Sequence, residues 1–384
     1  MRLTDFHKVV AMNTLSGIGT GLVGIFIPIY LLELGFPPIS VIAWLLVHHV
    51  SLLISSFLVV FASNRIGLVR CWYIRIPLVA LVFSGLLLLP TQPSLLFAVA
   101  FISGLEAAFF WIPYNIFTVR TTDDKSIGSS LAFMSNVGSA AGILVPGIAA
   151  LLIVLLGYPV LFSVAFGFIV ISVFPVLSLR QEKTNFQFSW TAIKGIARRY
   201  KRFIIPEIFD NLGQDAQVIW SLFIFITALT ILDIGALGVI TGIVGMLVTY
   251  LTGISIDTRN KKAIMRFGAV ATSVMWLASY AVATIAPAPA FLYTVTALRG
   301  FALGIFASAY GAVMLNRARS SDAQFLVLRE IPTILGRVVV FLLAMFFVSI
   351  DRFELTFLVV AVLSFYFWFN DTDPLLAPPV EAQT

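Results

Sequence analysis

The chain has 384 residues, 60% of them hydrophobic and only 11% charged, with a mean hydropathy of +1.03. Soluble domains hold about half apolar residues, so an ordinary water-soluble domain is excluded. Cys71 is the one cysteine, which excludes an internal disulfide and a cysteine-cluster metal site. The net charge of +6 would suggest nucleic acid in a soluble chain; here the loop pattern described below accounts for it, and neither nucleic acid, metal nor cofactor is expected. The opening MRLTDFHKVV has a weak positive n-region and no small-residue cleavage site, so it reads as the start of a first helix.

Apolar runs of about 20 residues recur along the chain, each long enough to cross a hydrocarbon core of about 30 Å. They lack the alternation of a membrane barrel, and lipid leaves helices as the remaining spanning structure. In chain order the runs predict helices over 9–33, 39–62, 70–89, 93–118, 127–155 and 159–178, then 203–231, 236–255, 263–285, 289–315, 324–349 and 352–370. Short links such as LGFPP and PTQPS force neighbours to run antiparallel. The predicted fold class is an all-α membrane protein, twelve transmembrane helices in two pseudo-symmetric six-helix bundles. The first bundle takes 1–178, a basic linker 179–202, the second bundle 203–370 and a tail 371–384.

Loop charge sets the orientation. One side carries Arg65, Arg70, Arg120, Lys125, Arg259, Lys261, Lys262, Arg317 and Arg319, together with the basic linker. The opposite loops hold essentially only Arg352. The basic side is expected to be cytoplasmic, with both termini on it, in a bacterial-type inner membrane. Within the linker, SWTAIKGIARRYKR places Trp190, Ile193, Ala197 and Tyr200 on one helical face. It reads either as a helix lying on the anionic inner leaflet or as a solvated connector.

The two halves echo each other. ASNRIGLVR follows the second helix with Asn64, Arg65, Gly67 and Arg70; TGISIDTRNKK follows the eighth with Gly253, Asp257, Lys261 and Lys262. Asn64 and Asp257 stand 193 residues apart, close to half the chain. Such duplication marks transporters that rock two halves about a central site.

These two loops resemble the signature between helices two and three of the major facilitator superfamily. That signature has a glycine, three residues, an aspartate, a basic residue, any residue, a glycine and further bases. The second loop keeps Gly253, Asp257, Lys261 and Lys262 but has Thr258 and Asn260 at the base and second glycine. The first keeps Arg65, Gly67 and Arg70 but has Val60 and Asn64 at the glycine and acid. The resemblance covers the whole chain and implies that both loops lock the cytoplasmic side when the protein faces outward. A carboxylate at a helix end can accept bonds from a neighbouring helix N-terminus and a nearby arginine, so Asp257 is the stronger latch. On the fifth helix Gly138, Gly142, Pro146 and Gly147 depart from the Gly-Pro order of the superfamily's antiporters; four-residue spacing of small residues points to close helix packing.

Charges within the spans carry the functional reading. Glu106 lies at the middle of the fourth helix, and Arg299 stands 193 residues later at the matching place in the tenth. An unpaired charge there costs about 3 kcal/mol. In the resembled fold helices one, four, seven and ten line the central cavity, so Glu106 and Arg299 are expected to face the same space. PEIFDNLGQDAQ on the seventh helix places Glu207, Asp210, Asn211, Gln214, Asp215 and Gln217 on one face; Asp210 and Asp215 are the deeper acids, Glu207 nearer the interface. Arg337 on the eleventh helix needs a carboxylate or an anionic ligand, with Glu106, Asp210 and Asp215 as candidates. Arg329 and Glu330 lie near the inner end, where the arginine can snorkel or gate. His48 and His49 are adjacent, point about 100° apart, and read as packing histidines before a relay. Phe110, Trp111, Tyr114 and Tyr310 are candidate cavity residues, with Asn13, Asn115 and Asn136 as further polar contacts.

The expected function is a secondary transporter moving a small organic solute by alternating access, acting as a monomer in the bilayer. No GxxxxGK[ST] loop offers direct ATP drive. The proton is the expected coupling ion, because burial disfavours the charged form of a carboxylic acid. Glu106 is the first candidate carrier, then Asp215 and Asp210. An organic anion or zwitterion would suit Arg299 and Arg337; an amphipathic cation would suit the acids and aromatics. Efflux of amphipathic compounds, a non-transporting sensor, a lipid-moving protein and a membrane-embedded enzyme are the alternatives.

Overall fold

The computed structural model describes residues 4–121, 142–180, 194, 201–227, 229–256, 261–285, 287–319 and 323–365; for 119–121, 201–203, 206, 249–250, 253–256, 261–262, 307–309, 311–319 and 323–327 the description is of the backbone alone. Among these residues there are thirteen α-helices and no strand. They are α1 Asp5–Val23, α2 Phe26–Glu33, α3 Pro38–Ile66, α4 Leu68–Leu88, α5 Leu96–Thr121, α6 Val145–Leu156 and α7 Tyr158–Ile171. After the linker come α8 Lys201–Thr227, α9 Ile231–Ile256, α10 Lys261–Ile285, α11 Pro289–Arg319, α12 Ala323–Ser349 and α13 Leu355–Ser364. Nine described segments are long and apolar enough to cross a membrane, with α6 and α13 as shorter apolar helices. The polar α8 supplies the remaining crossing, giving twelve transmembrane helices in two pseudo-symmetric bundles. Large apolar side chains such as Ile54, Leu58, Leu81 and Leu155 are exposed on the outside, which suits lipid as the solvent.

The first predicted helix, 9–33, is in fact two. Pro28 has no N–H to give the carbonyl of Gly24, so the ladder breaks at Gly24 and Ile25 and restarts at Phe26. Thr4 caps the start, its hydroxyl accepting from the His7 N–H at 3.4 Å. Two junctions are a single residue long. Gly67, with φ 90°, joins α3 to α4, and Gly157, with φ 81°, joins α6 to α7. Only glycine holds such an angle at no steric cost, so Gly67 has a structural reason to be present whatever its part in a gate.

Helix pairs approach closely where side chains shrink. α3 packs on α5 at Gly104, where an added Cβ would lie 2.7 Å from Ser51 Cβ and 2.8 Å from the Leu52 nitrogen. Between the bundles, α3 packs on α12 and α6 on α9. At the second of these contacts an added Cβ on Gly235 would lie 2.9 Å from the Pro146 carbonyl oxygen, and one on Gly238 2.9 Å from Pro146 Cγ. The small-residue packing expected of the fifth helix is therefore present at Pro146 and Gly147, with α9 as the partner. Gly138, Asn136, Asp257, the expected linker helix and the tail 371–384 lie outside the described residues, and Gly253, Lys261 and Lys262 are described by backbone alone.

Replacing Gly104 by valine forces α3 and α5 apart and is expected to lower stability by about 1–3 kcal/mol. Thermal unfolding in detergent checks this; an unchanged melting temperature would mean that the helices have room to spare.

Candidate functional site

A cavity of about 280 Å³ opens inside the first bundle, with α8 of the second closing one wall. Trp44, His48 and His49 reach it from α3, Arg75 and Phe83 from α4, Ser103, Glu106, Phe110 and Trp111 from α5, and Asp215 and Val218 from α8. Glu106 thus faces a cavity and not lipid. Its partner is Arg75, whose Nε donates to Glu106 Oε1. Arg75 Nη1 donates to Ser16 Oγ at 2.5 Å, and its Cζ lies 4.3 Å from the centre of the Phe110 ring. A guanidinium that is 3% exposed is so supplied with a carboxylate, a hydroxyl and an aromatic face.

The polar stripe of α8 divides into two lines. Glu207, Asn211 and Asp215, at intervals of four, face Arg329, Thr333 and Arg337 of α12, also at intervals of four. Glu207 is wholly buried and accepts from Arg329 Nε at 2.9 Å, Thr333 Oγ1 at 2.8 Å, Tyr310 Oη at 2.9 Å and Asn211 Nδ2 at 3.1 Å. Arg337 Nη2 donates to Asn211 Oδ1 at 3.4 Å, and Arg337 Nε lies 3.0 Å from Asp215 Oδ2. Gly336 permits the ladder: an added Cβ there would come within 3.1 Å of Ile208 Cα, so the two backbones touch. The second line leads elsewhere. Asp210 accepts from Gln214 Nε2 at 2.7 Å and lines a small hollow inside the second bundle, with Thr272 and Phe306.

Arg299 is not opposite Glu106. Its guanidinium is 4% exposed and packed between two tryptophans, with Cζ 4.3 Å from the centre of Trp276 and 5.1 Å from that of Trp220. The Trp220 indole in turn donates to Thr296 Oγ1 at 2.9 Å. The expected sharing of one space by Glu106 and Arg299 is corrected: each charge is met inside its own bundle, Glu106 by Arg75 and Arg299 by aromatic faces. Equal depth on two related helices says nothing about which way each side chain turns.

The histidines divide in the same manner. His48 Nδ1 is 3.0 Å from Ser103 Oγ, and its ring stacks on Trp44. His49 Nδ1 is 2.8 Å from the Leu45 carbonyl, and its Nε2 lies 3.8 Å from Asp215 Oδ1. Trp44 Nε1 is buried and has no hydrogen-bond partner, which leaves a donor among the groups around the cavity. Tyr114 stacks on Phe110 behind the wall. At the end of α3 Arg65 is exposed and Asn64 half-buried, and at the start of α4 Arg70 is exposed.

The nucleoside transporter NupG, solved as a D323A mutant, superposes with a TM-score of 0.69 at 17% identity, over 95% of this chain and 100% of that one. The E. coli fucose:proton symporter FucP gives 0.67 at 13% identity, over 94% and 97%. FucP is also described as a Major Facilitator Superfamily transporter, and its outward conformation gives the same score. The chain has the major facilitator fold. No family model matches the sequence. A curated protein of Bacillus subtilis, YqgE, is 23% identical over 348 residues, spanning 86% of this chain and 79% of that protein.

Within the major facilitator fold, the cavity falls where charged residues of the first bundle meet α8. Arg75 is a functional residue that the sequence does not single out: it lies inside the predicted third helix, 70–89, at a place the repeat does not mark. In the structure α4 begins at Leu68 and Arg75 is two turns in. Glu207, expected near the interface, is wholly buried, and Arg329, expected to snorkel or gate, is its partner while remaining partly exposed. The shared four-residue spacing of 207, 211, 215 and 329, 333, 337 was the signal available for that pairing.

Breaking the Arg75–Glu106 pair from either side leaves a bare charge. Arg75→Met and Glu106→Leu are each expected to lose about 3–5 kcal/mol, and the double variant to regain most of it. Thermal unfolding of all four proteins in one detergent measures the coupling; simple addition of the two losses would show that the residues act separately.

Proposed function

We propose that this chain is a secondary transporter, not an enzyme, that carries a small organic solute across a membrane by alternating access, with the proton as coupling ion. The observation that carries the reading is the polar cavity at Glu106, built in one bundle and closed by Asp215 of the other. A site shared in this way changes its exposure whenever the bundles rock. The likeness to solved transporters supports the same scaffold. In this reading the bundles are residues 1–178 and 203–370, the linker and both termini lie on the cytoplasmic side of a bacterial-type inner membrane, and the chain works as a monomer. Asn64 to Arg70 and Gly253 to Lys262 serve as the cytoplasmic gate.

Charge pairing narrows the solute. Around the cavity Arg75 is matched by Glu106 and Arg337 by Asp215, while Arg299 is enclosed by aromatic rings. The arginines facing the cavity region from both bundles already have carboxylates beside them, so of the expected solutes a zwitterion fits better than an organic anion or an amphipathic cation, and an uncharged solute fits as well. Trp44, Phe110 and Trp111 offer flat apolar faces, and Trp44 Nε1 a free donor.

Counterflow in proteoliposomes tests the reading, beginning with labelled uridine and L-fucose, the solute classes named for NupG and FucP, and widening to other neutral polar solutes. Saturable uptake by the wild type is expected to fall by roughly tenfold or more in the Arg75→Met/Glu106→Leu double variant, which retains the fold but not the polar pair. Monodisperse protein that equilibrates no such solute faster than empty liposomes would refute the transport reading.

A further inference from the structure

Among the described residues, the arginine–carboxylate pairs of the spans lie within bundles. Arg75 and Glu106 belong to the first; Asp215, Arg337, Glu207 and Arg329 belong to the second. Among the described residues, the pair within ion-pair distance that crosses between bundles is His49 with Asp215, and His48 and Arg337 stand close enough to act on it through their charge. Its chemistry is unusual. A carbonyl oxygen can only accept, so the 2.8 Å contact with Leu45 places the proton of a neutral His49 on Nδ1. Nε2 then presents a lone pair to Asp215 Oδ1 at 3.8 Å, one acceptor facing another, beyond hydrogen-bond distance. One proton would turn this stand-off into a charge-assisted bond.

We propose that His49 Nε2 and Asp215 Oδ1 together form the binding site for the coupling proton, a site spanning the two bundles; this rests on the transport reading above. Asp215 is built for it. One carboxylate oxygen, Oδ2, is held 3.0 Å from Arg337 Nε, and the other, Oδ1, is turned to His49. The proton passes from water at one face to Nε2, and the imidazolium is then countered by Asp215. Asp215 becomes a bridge between a cation of its own bundle and a cation of the opposite one, so the α3–α12 seam tightens. Loss of the proton to the other face restores two facing acceptors, and the seam loosens.

The surroundings favour this pair over its neighbours. His48, beside it on α3, already has Ser103. Glu106 of α5 and Arg75 of α4 face the same cavity but hold each other within one bundle, so rocking does not part them. From α12 the charged group facing the pair is Arg337, and α1 contributes no ionisable side chain to the cavity. The Phe341 ring of α12, 5.1 Å from the His49 ring, seals the other side of the seam.

The test uses the proton itself as probe on purified full-length protein. Spin labels are placed on α3 and α12 at Leu58→Cys and Leu335→Cys, both exposed positions, in a Cys71→Ala background. Double electron–electron resonance then follows the distance between them from about pH 5 to about pH 9, the range that histidine chemistry spans. The wild type is expected to shift from a shorter to a longer distance as pH rises. His49→Gln, whose amide N–H donates at every pH, is expected to stay at the short distance; His49→Phe, which cannot donate, at the long one. A wild type without a pH response, or a response that survives unchanged in His49→Phe, overturns the proposal. Failure of the transport reading looks different: the distances titrate as described while proteoliposomes move no solute. Solute uptake driven by a pH gradient that persists in His49→Phe sinks the proton site alone.

Discussion

Neutralising charge in the absence of water governs this molecule. A guanidinium or carboxylate at mid-membrane depth has no hydration shell to draw upon, so the protein must supply one from side chains. It does so bundle by bundle. Arg75 receives Glu106, Ser16 and the face of Phe110; Arg299 receives two indole rings; Glu207 collects four donors from α8, α11 and α12. Each bundle can then be a stable unit with its charges satisfied internally. Rocking of one against the other would tear no salt bridge of this kind, which is the mechanical condition that alternating access imposes.

Helix geometry delivers this pairing through periodicity and small residues acting together. On α8 and α12, intervals of four place Glu207, Asn211 and Asp215 opposite Arg329, Thr333 and Arg337, and Gly336 lets the backbones come close enough for the short side chains to meet. The same device without charge appears between the bundles at Pro146, Gly147, Gly235 and Gly238. Among the described residues, contact there is of backbone and apolar groups. Such a seam suits a pivot, whereas the α8–α12 seam, stitched by hydrogen bonds, suits a rigid body.

Much of the fold was legible in the chain because hydrocarbon imposes a simple rule: about 20 apolar residues, then a polar break. That rule located the crossings; the two matching loops gave the repeat, and the resemblance to the superfamily implied a cavity-facing Glu106. The rule failed where the signal is local and stereochemical. The break in the first helix comes from one proline acting on a carbonyl four residues earlier, inside an uninterrupted apolar run. Depth was also readable, but direction was not. Glu106 and Arg299 share a level in the repeat and were expected to meet. Facing is decided by a few tens of degrees about each helix axis, and Trp220 and Trp276 are no less a counterpart for a guanidinium than a carboxylate is. The partner, Arg75, lies inside the predicted third helix, but nothing in the repeat or the loop motifs points to it.

The pairing within bundles gives added meaning to the contact that crosses between them. A permanent salt bridge across the seam would fix one orientation of the bundles, and an apolar contact would leave their motion unlinked to any ion. His49 against Asp215 is neither of these. Its sign depends on a proton, because the Leu45 carbonyl has committed the other ring nitrogen and the charge of Arg337 stands 3.0 Å from the other carboxylate oxygen. One hydrogen bond and one ion pair thus narrow the arrangements open to a histidine and an aspartate, and leave Nε2 facing Oδ1. That narrowing is what allows one small ion to bias the packing of two six-helix bodies.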